Sequence, residues 1–194
     1  MMTRLVLAAP FTLAAALALG GCFQFANERS GAEGGSSSSS TPTASGYYNA
    51  VGEADMLQGA MGNVTSFTQQ SPEMRITGSR TSATVRIDAA DTTARWWVMT
   101  NLTITGGLDH ASLLPGAHLV FTRTAPSVNG LRVSALGCSG PSRPNYTYDH
   151  TADAVTVDVL PGSAPDTRRM VFKAVYTHGS VTQQVQGSFE YEPR

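Results

Sequence analysis

The C-terminal part of the chain alternates with a period of two. Val181, Val185, Gly187, Phe189 and Tyr191 share one phase, while Thr182, Gln184, Gln186, Ser188, Glu190 and Glu192 share the other. Side chains of a strand point alternately to its two faces, so this pattern is satisfied by a strand with one buried and one wet side. Residues 169–177 repeat it with Met170, Phe172, Ala174 and Tyr176 in phase. His178-Gly179 between the two runs predicts a tight hairpin, with glycine supplying the positive φ.

The same period predicts strands over 74–78, 83–88, 95–105, 117–124, 131–136 and 154–160. The breaks carry turn chemistry at Leu114-Pro115-Gly116, Asn129-Gly130, Pro161-Gly162 and Pro165-Asp166. Strands at this spacing, with no helical pattern between them, predict an all-β fold, an antiparallel β-sandwich of about seven to nine strands in an immunoglobulin-like arrangement. Residues 47–63 stay open between one or two helical turns and an irregular edge strand, because Gly52, Gly59 and Gly62 weaken either pattern.

The first residues follow another logic. Arg4 precedes an apolar run from Leu5 to Leu19, which small residues close. This is the order of a secretory signal, and the run is shorter than the roughly 20 residues of a permanent membrane span. Leu19-Gly20-Gly21-Cys22 resembles the lipobox of bacterial lipoproteins. The resemblance covers only the first 22 residues. It implies cleavage before Cys22, diacylglycerol on its sulfur and an acyl chain such as palmitate on the new amino group. Two or more chains hold a protein stably on a bilayer, where one holds it marginally. Phe23 and Gln24 stand where the family's retention signal places Asp, which leans towards the outer membrane of a Gram-negative envelope. An acylated Cys22 is removed from disulfide chemistry, so Cys138 is expected as a buried, inert thiol.

Three segments result: signal peptide 1–21, lipidated cysteine and tether 22–46, and β-sandwich 47–194. The tether holds Gly34-Gly35, Ser36 through Ser40, and Thr41-Pro42-Thr43, too little apolar surface to repay ordering. A Ser/Gly linker of about 24 residues has a root-mean-square reach of roughly 25–30 Å.

Cleavage removes Arg4 and leaves the chain slightly more acidic than its formal charge of −1. With no basic run, nucleic acid is not an expected partner. Ser139 lies in Gly137-Cys138-Ser139-Gly140, which is not a Gly-x-Ser-x-Gly nucleophile elbow. His110, His118, His150 and His178 share no metal-ligand spacing. Asp149, Asp153 and Asp158 around His150 match no calcium loop, and loop Asp commonly makes turns. No catalytic residue, metal or cofactor is therefore assigned. In residues 95–105, Trp96, Val98, Leu102 and Ile104 share the apolar phase, which turns Trp97 outward with Met99. An outward Trp97, extended by Tyr146 and Tyr148, is the candidate platform for a sugar ring. The function expected is a non-catalytic envelope lipoprotein. Its partners are the bilayer, through Cys22, and an unidentified envelope protein or glycan. A lipid-anchored carbohydrate-binding module stands second. An envelope hydrolase using Ser139, Asp149, His150 or Asp153 stands third.

Overall fold

The computed structural model describes residues 47–141 and 145–193. The signal peptide, Leu19, Gly20, Gly21, Cys22 and the tether lie outside the described residues. Twelve strands run through the described chain: β1 Tyr47–Glu53, β2 Met56–Met61, β3 Val64–Gln70, β4 Glu73–Ser79, β5 Ser82–Asp91, β6 Trp96–Thr105, β7 His118–Thr122, β8 Arg132–Gly140, β9 Tyr148–Thr151, β10 Ala154–Pro161, β11 Arg168–His178 and β12 Val181–Tyr191. They pair antiparallel into two six-stranded sheets, in the orders β1-β4-β5-β6-β8-β9 and β3-β2-β12-β11-β10-β7. The fold is a β-sandwich, as the alternation predicts. It has more strands than the seven to nine expected, because 47–70 form three strands and 148–151 a fourth. The neighbour order also departs from the A-B-E-D and C-F-G sheets of an immunoglobulin domain.

The hairpin that dominates the sequence pattern sits in the middle of one sheet. Met170 faces Phe189, Phe172 faces Gly187 and Ala174 faces Val185 across β11 and β12. All six positions are buried, so this face of the hairpin is the inner layer of the sandwich. Gly179 and Ser180 close the hairpin, with Gly179 at φ 60°, as a two-residue loop demands. The opposing layer comes from Ile76 on β4, Val85 and Ile87 on β5, Val98, Leu102 and Ile104 on β6, and Val133 on β8, all in one apolar core with the hairpin.

Residues 47–63 resolve as two strands with short connections and no helical turn. β1 pairs with β4 at the outer edge of the first sheet. β2 inserts between β12 and β3 in the second. The register of β2 on β3 shifts between Gly59 and Met61. Gly59 adopts φ 139°, and a Cβ there would lie 2.1 Å from the Gln184 carbonyl oxygen. The close pairing of β2 with β12 at this point therefore depends on glycine.

A second, smaller apolar cluster lies apart from the main core: Trp97, Met99 and Cys138, with Leu136 packed against it. Cys138 is buried, as expected, but the expectation of a thiol is corrected, because its sulfur is disulfide-bonded. Among the described residues no helix is long and apolar enough to cross a membrane.

Candidate functional site

A cleft of about 400 Å³ opens where the edge strand β3 approaches the ends of β6 and β8. Asn63, Thr65 and Ser66 form one wall, Arg95 and Trp96 a second, and Ser139, Gly140, Pro141 and Thr147 the third. Each wall has a local cause. The β2–β3 connection is the two-residue loop Gly62-Asn63, with Gly62 at φ 56°. Gln183 on β12 clamps it: Gly62 N–H donates to Oε1 at 2.7 Å, and Nε2 donates to the Gly62 carbonyl at 2.9 Å. A Cβ on Gly62 would lie 2.4 Å from Ser139 Oγ and 2.6 Å from Tyr148 Cβ, so only glycine lets the loop seat on β8 and β9.

The second wall is the β5–β6 connection. Asp91 Oδ1 accepts from the backbone N–H groups of Thr93 at 2.8 Å and Ala94 at 2.9 Å, which folds the loop back on itself. Arg95 then takes a left-handed backbone, φ 54°. This conformation is uncommon for a residue with a long side chain. Arg95 is exposed and makes no ion pair among the described residues. Trp96 follows it, half-buried, with its indole 5.5 Å from the Phe67 ring at a 49° tilt. Phe67 is buried on β3, so the core supports the indole from below. At the floor, Ser139 is 1 % exposed. Its hydroxyl has no hydrogen-bond partner.

Beside the cleft lies a ring cluster. Tyr148 and His150 of β9 meet His178 of β11, with ring centroids 5.6–5.8 Å apart. Burial raises the Tyr148 phenol above its ordinary pKa, with the charge of Asp153 adding to the effect. Tyr176, deeper in the core, is pushed well above the phenol range, again chiefly by burial. Asp153 is held below the ordinary carboxylate range by Thr177 and by Arg123, whose guanidinium lies 2.8 Å away.

The sequence candidates are redistributed. Trp97 is 4 % exposed and lies against Met99 and Cys138, which corrects its reading as an outward platform. Tyr146 is exposed, while Tyr148 is drawn into the ring cluster, so the three aromatics form no shared surface. Ser139 and His150 both belong to the paired strands β8 and β9, opposite Tyr148 and Gly137 respectively. Ser139 Oγ and His150 Nε2 each lack a hydrogen-bond partner, so no hydroxyl–imidazole bond joins them. Asp158 is committed elsewhere, with Oδ1 2.6 Å from His118 Nδ1. Among the described residues no three His, Cys, Asp or Glu side chains gather as a metal set. His110 accepts the Ser112 N–H at 3.1 Å and shapes its own turn.

Among the residues that line the cleft, the sequence singled out Ser139, as a hydrolase candidate, but not Arg95 or Trp96. Arg95 read as the start of a strand, and Trp96 as core. The available signal was Asp91-Thr92-Thr93-Ala94, a turn with a side-chain acceptor, directly before an Arg-Trp pair.

Fold and cleft together define a β-sandwich with a mixed aromatic and polar recess at one sheet edge. The chain matches no known family model, and no curated protein or solved structure shows significant similarity to it.

Proposed function

We propose that this chain is a lipid-anchored envelope protein whose β-sandwich is a non-catalytic binding module. The observation that carries the binding role is the cleft, where Trp96, Arg95 and several residues with hydroxyl and amide groups line one recess. The Leu19-Gly20-Gly21-Cys22 motif supports the anchor, with the bilayer as one partner and an envelope protein or glycan as the other. The outer membrane is the compartment this reading favours.

Fractionation of cells expressing the wild type and Cys22→Ser tests the anchor. The wild type should sediment with membranes and take up labelled palmitate, and Cys22→Ser should do neither. A Cys22→Ser protein that remains membrane-bound overturns the proposal. Intact mass adds a second readout that decides between two exclusive fates of the chain's two cysteines: a thioether on Cys22 leaves Cys138 as a thiol, whereas an intrachain disulfide at Cys138 leaves no thiol to acylate. Membrane-extracted protein should carry the mass of diacylglycerol and an acyl chain; an unlipidated mass refutes the anchor. Pull-down of envelope extract on the wild-type protein, set against denatured protein, tests the module.

A further inference from the structure

We propose that the Trp96–Arg95 cleft binds a saccharide carrying a carboxylate, a step that rests on reading the domain as a binding module. The chemistry of the walls selects this ligand. A pyranose has an apolar face of C–H groups and a belt of hydroxyls. Trp96 offers one partly open aromatic face, held from behind by Phe67, which suits the C–H face. Asn63, Thr65, Ser66 and Thr147 line the recess and supply donors and acceptors for hydroxyls. Burying an apolar ligand against these groups would leave them without partners, which disfavours it.

Among the described residues, Arg95 is the one cation that lines the recess, and it sets the charge. The guanidinium of Arg95 is planar and matches a carboxylate through two parallel hydrogen bonds. A nucleotide would bring two or more negative charges to one cation and a base that asks for a deeper stack. The backbone of Arg95 sharpens the argument. Left-handed φ disfavours a residue with a Cβ relative to glycine, and the residue that stands there is an arginine that lines the cleft.

The volume, about 400 Å³, falls within the range of small-ligand sites. Two envelope sources share this chemistry: uronic acids of surface polysaccharide, and the lactyl carboxylate of cell-wall muramic acid. The probes separate them.

Full-length protein purified in detergent would be titrated with trigalacturonate, N-acetylmuramic acid and the neutral maltotriose by calorimetry. One of the two acidic probes should bind about fivefold more tightly than maltotriose, and which one binds identifies the source. Arg95→Gly should abolish that preference while the melting temperature holds or rises. Trp96→Leu, which keeps an apolar filler over Phe67, should weaken acidic and neutral probes alike; if it does not fold, Arg95→Gly carries the test. Equal affinity for acidic and neutral probes, no binding, or binding untouched by Arg95→Gly overturns the assignment. Binding of an extended peptide along the β3 edge would give that last result. These outcomes leave the module reading to its pull-down. Cleavage of bound trigalacturonate, lost with Arg95→Gly, upholds the site and overturns only the non-catalytic reading.

Discussion

Gly187 offers the sharpest test of the packing. It lies in the apolar phase of β12, directly across from Phe172 on β11. Phe172 fills the space the glycine leaves: a Cβ at 187 would stand 2.7 Å from both Phe172 Cε1 and Cζ, and 2.9 Å from Leu57 Cδ1. Carbon atoms pack best at about 3.5–4.0 Å, so an alanine methyl at this position would have to displace the ring by nearly an ångström. The ring has little room to move, because Phe172 and Leu57 are fully buried and Phe189 lies 6.5 Å away, centroid to centroid. Overpacking of this kind costs about 1–3 kcal/mol. An added methyl returns up to about 0.8 kcal/mol through burial. A stiffer unfolded chain returns about 0.4–1 kcal/mol.

With the overpacking at the upper end of its range, because the buried ring cannot move away, Gly187→Ala should lose about 1–2 kcal/mol net, a fall in melting temperature of roughly 2–8 °C for a domain of this size. The assay is thermal and urea unfolding of Gly187→Ala, Phe172→Leu and the double variant. Leucine is narrower than phenylalanine at the contact, so Gly187→Ala should cost at least about 1 kcal/mol less in the Phe172→Leu background. An unchanged or raised melting temperature for Gly187→Ala would refute the argument. So would an equal loss in both backgrounds, since the strain would then lie elsewhere.

Other expectations follow from single side chains. Glu190 accepts from Thr167 Oγ1, from Ser163 Oγ at 2.7 Å and from Ser163 N–H at 2.9 Å, which lowers its pKa to about 2. A depressed folded pKa stabilises above the unfolded carboxylate range, so stability on the order of 1 kcal/mol, reduced by solvent screening, should fade as pH falls from about 5 towards 2. Glu190→Gln should be less stable at neutral pH and lose that deficit by pH 2; a pH-independent deficit contradicts the account. Gln183→Ala removes both bonds to Gly62 and should cost about 1–3 kcal/mol. It should also loosen saccharide binding, because Asn63 and Thr65 ride on that hairpin; calorimetry showing unaltered affinity would separate the clamp from the site.

The sequence made the sandwich legible wherever one face was apolar and the other wet. β10, β11 and β12 have these alternating faces, and each was placed to within about one residue, inside the usual uncertainty of strand boundaries. β3 was missed because its buried residues, Val64 and Phe67, are three apart, and a search for period two rejects them. The register shift between Gly59 and Met61 is what lets both reach the core. That same irregularity leaves Thr65 and Ser66 exposed side by side, and they become a wall of the cleft. β9 is only four residues long and has no apolar phase to detect. Trp97 failed for a different reason. Phase identifies the face a residue points to, but not what lies against that face, and β6 is buried on both sides over Trp97–Thr100. The site was thus illegible for the same cause as its strands: it is built where the alternation breaks.

An edge cleft and a lipid anchor make sense together when the affinities are weighed. One stacked ring contributes on the order of 1 kcal/mol beyond burial. A single guanidinium–carboxylate contact at an exposed rim adds about as much. Such a site holds one soluble sugar weakly, near the roughly −4 kcal/mol of a millimolar complex. A tether with the reach expected of residues 22–46 would confine the domain to a thin layer over the membrane, where the effective concentration of a surface glycan is also about millimolar. Anchoring then turns a contact that is mostly empty in solution into one substantially occupied. Cys22→Ser should accordingly lose most association with intact envelopes while its affinity for the soluble probe stays within about twofold of the anchored protein. If the two fall together, the substitution has damaged the cleft and the division of labour is wrong. If envelope association persists without the anchor, the cleft is far tighter than its few contacts allow, and the surface recognised must extend beyond the walls formed by Asn63, Arg95, Trp96 and Thr147.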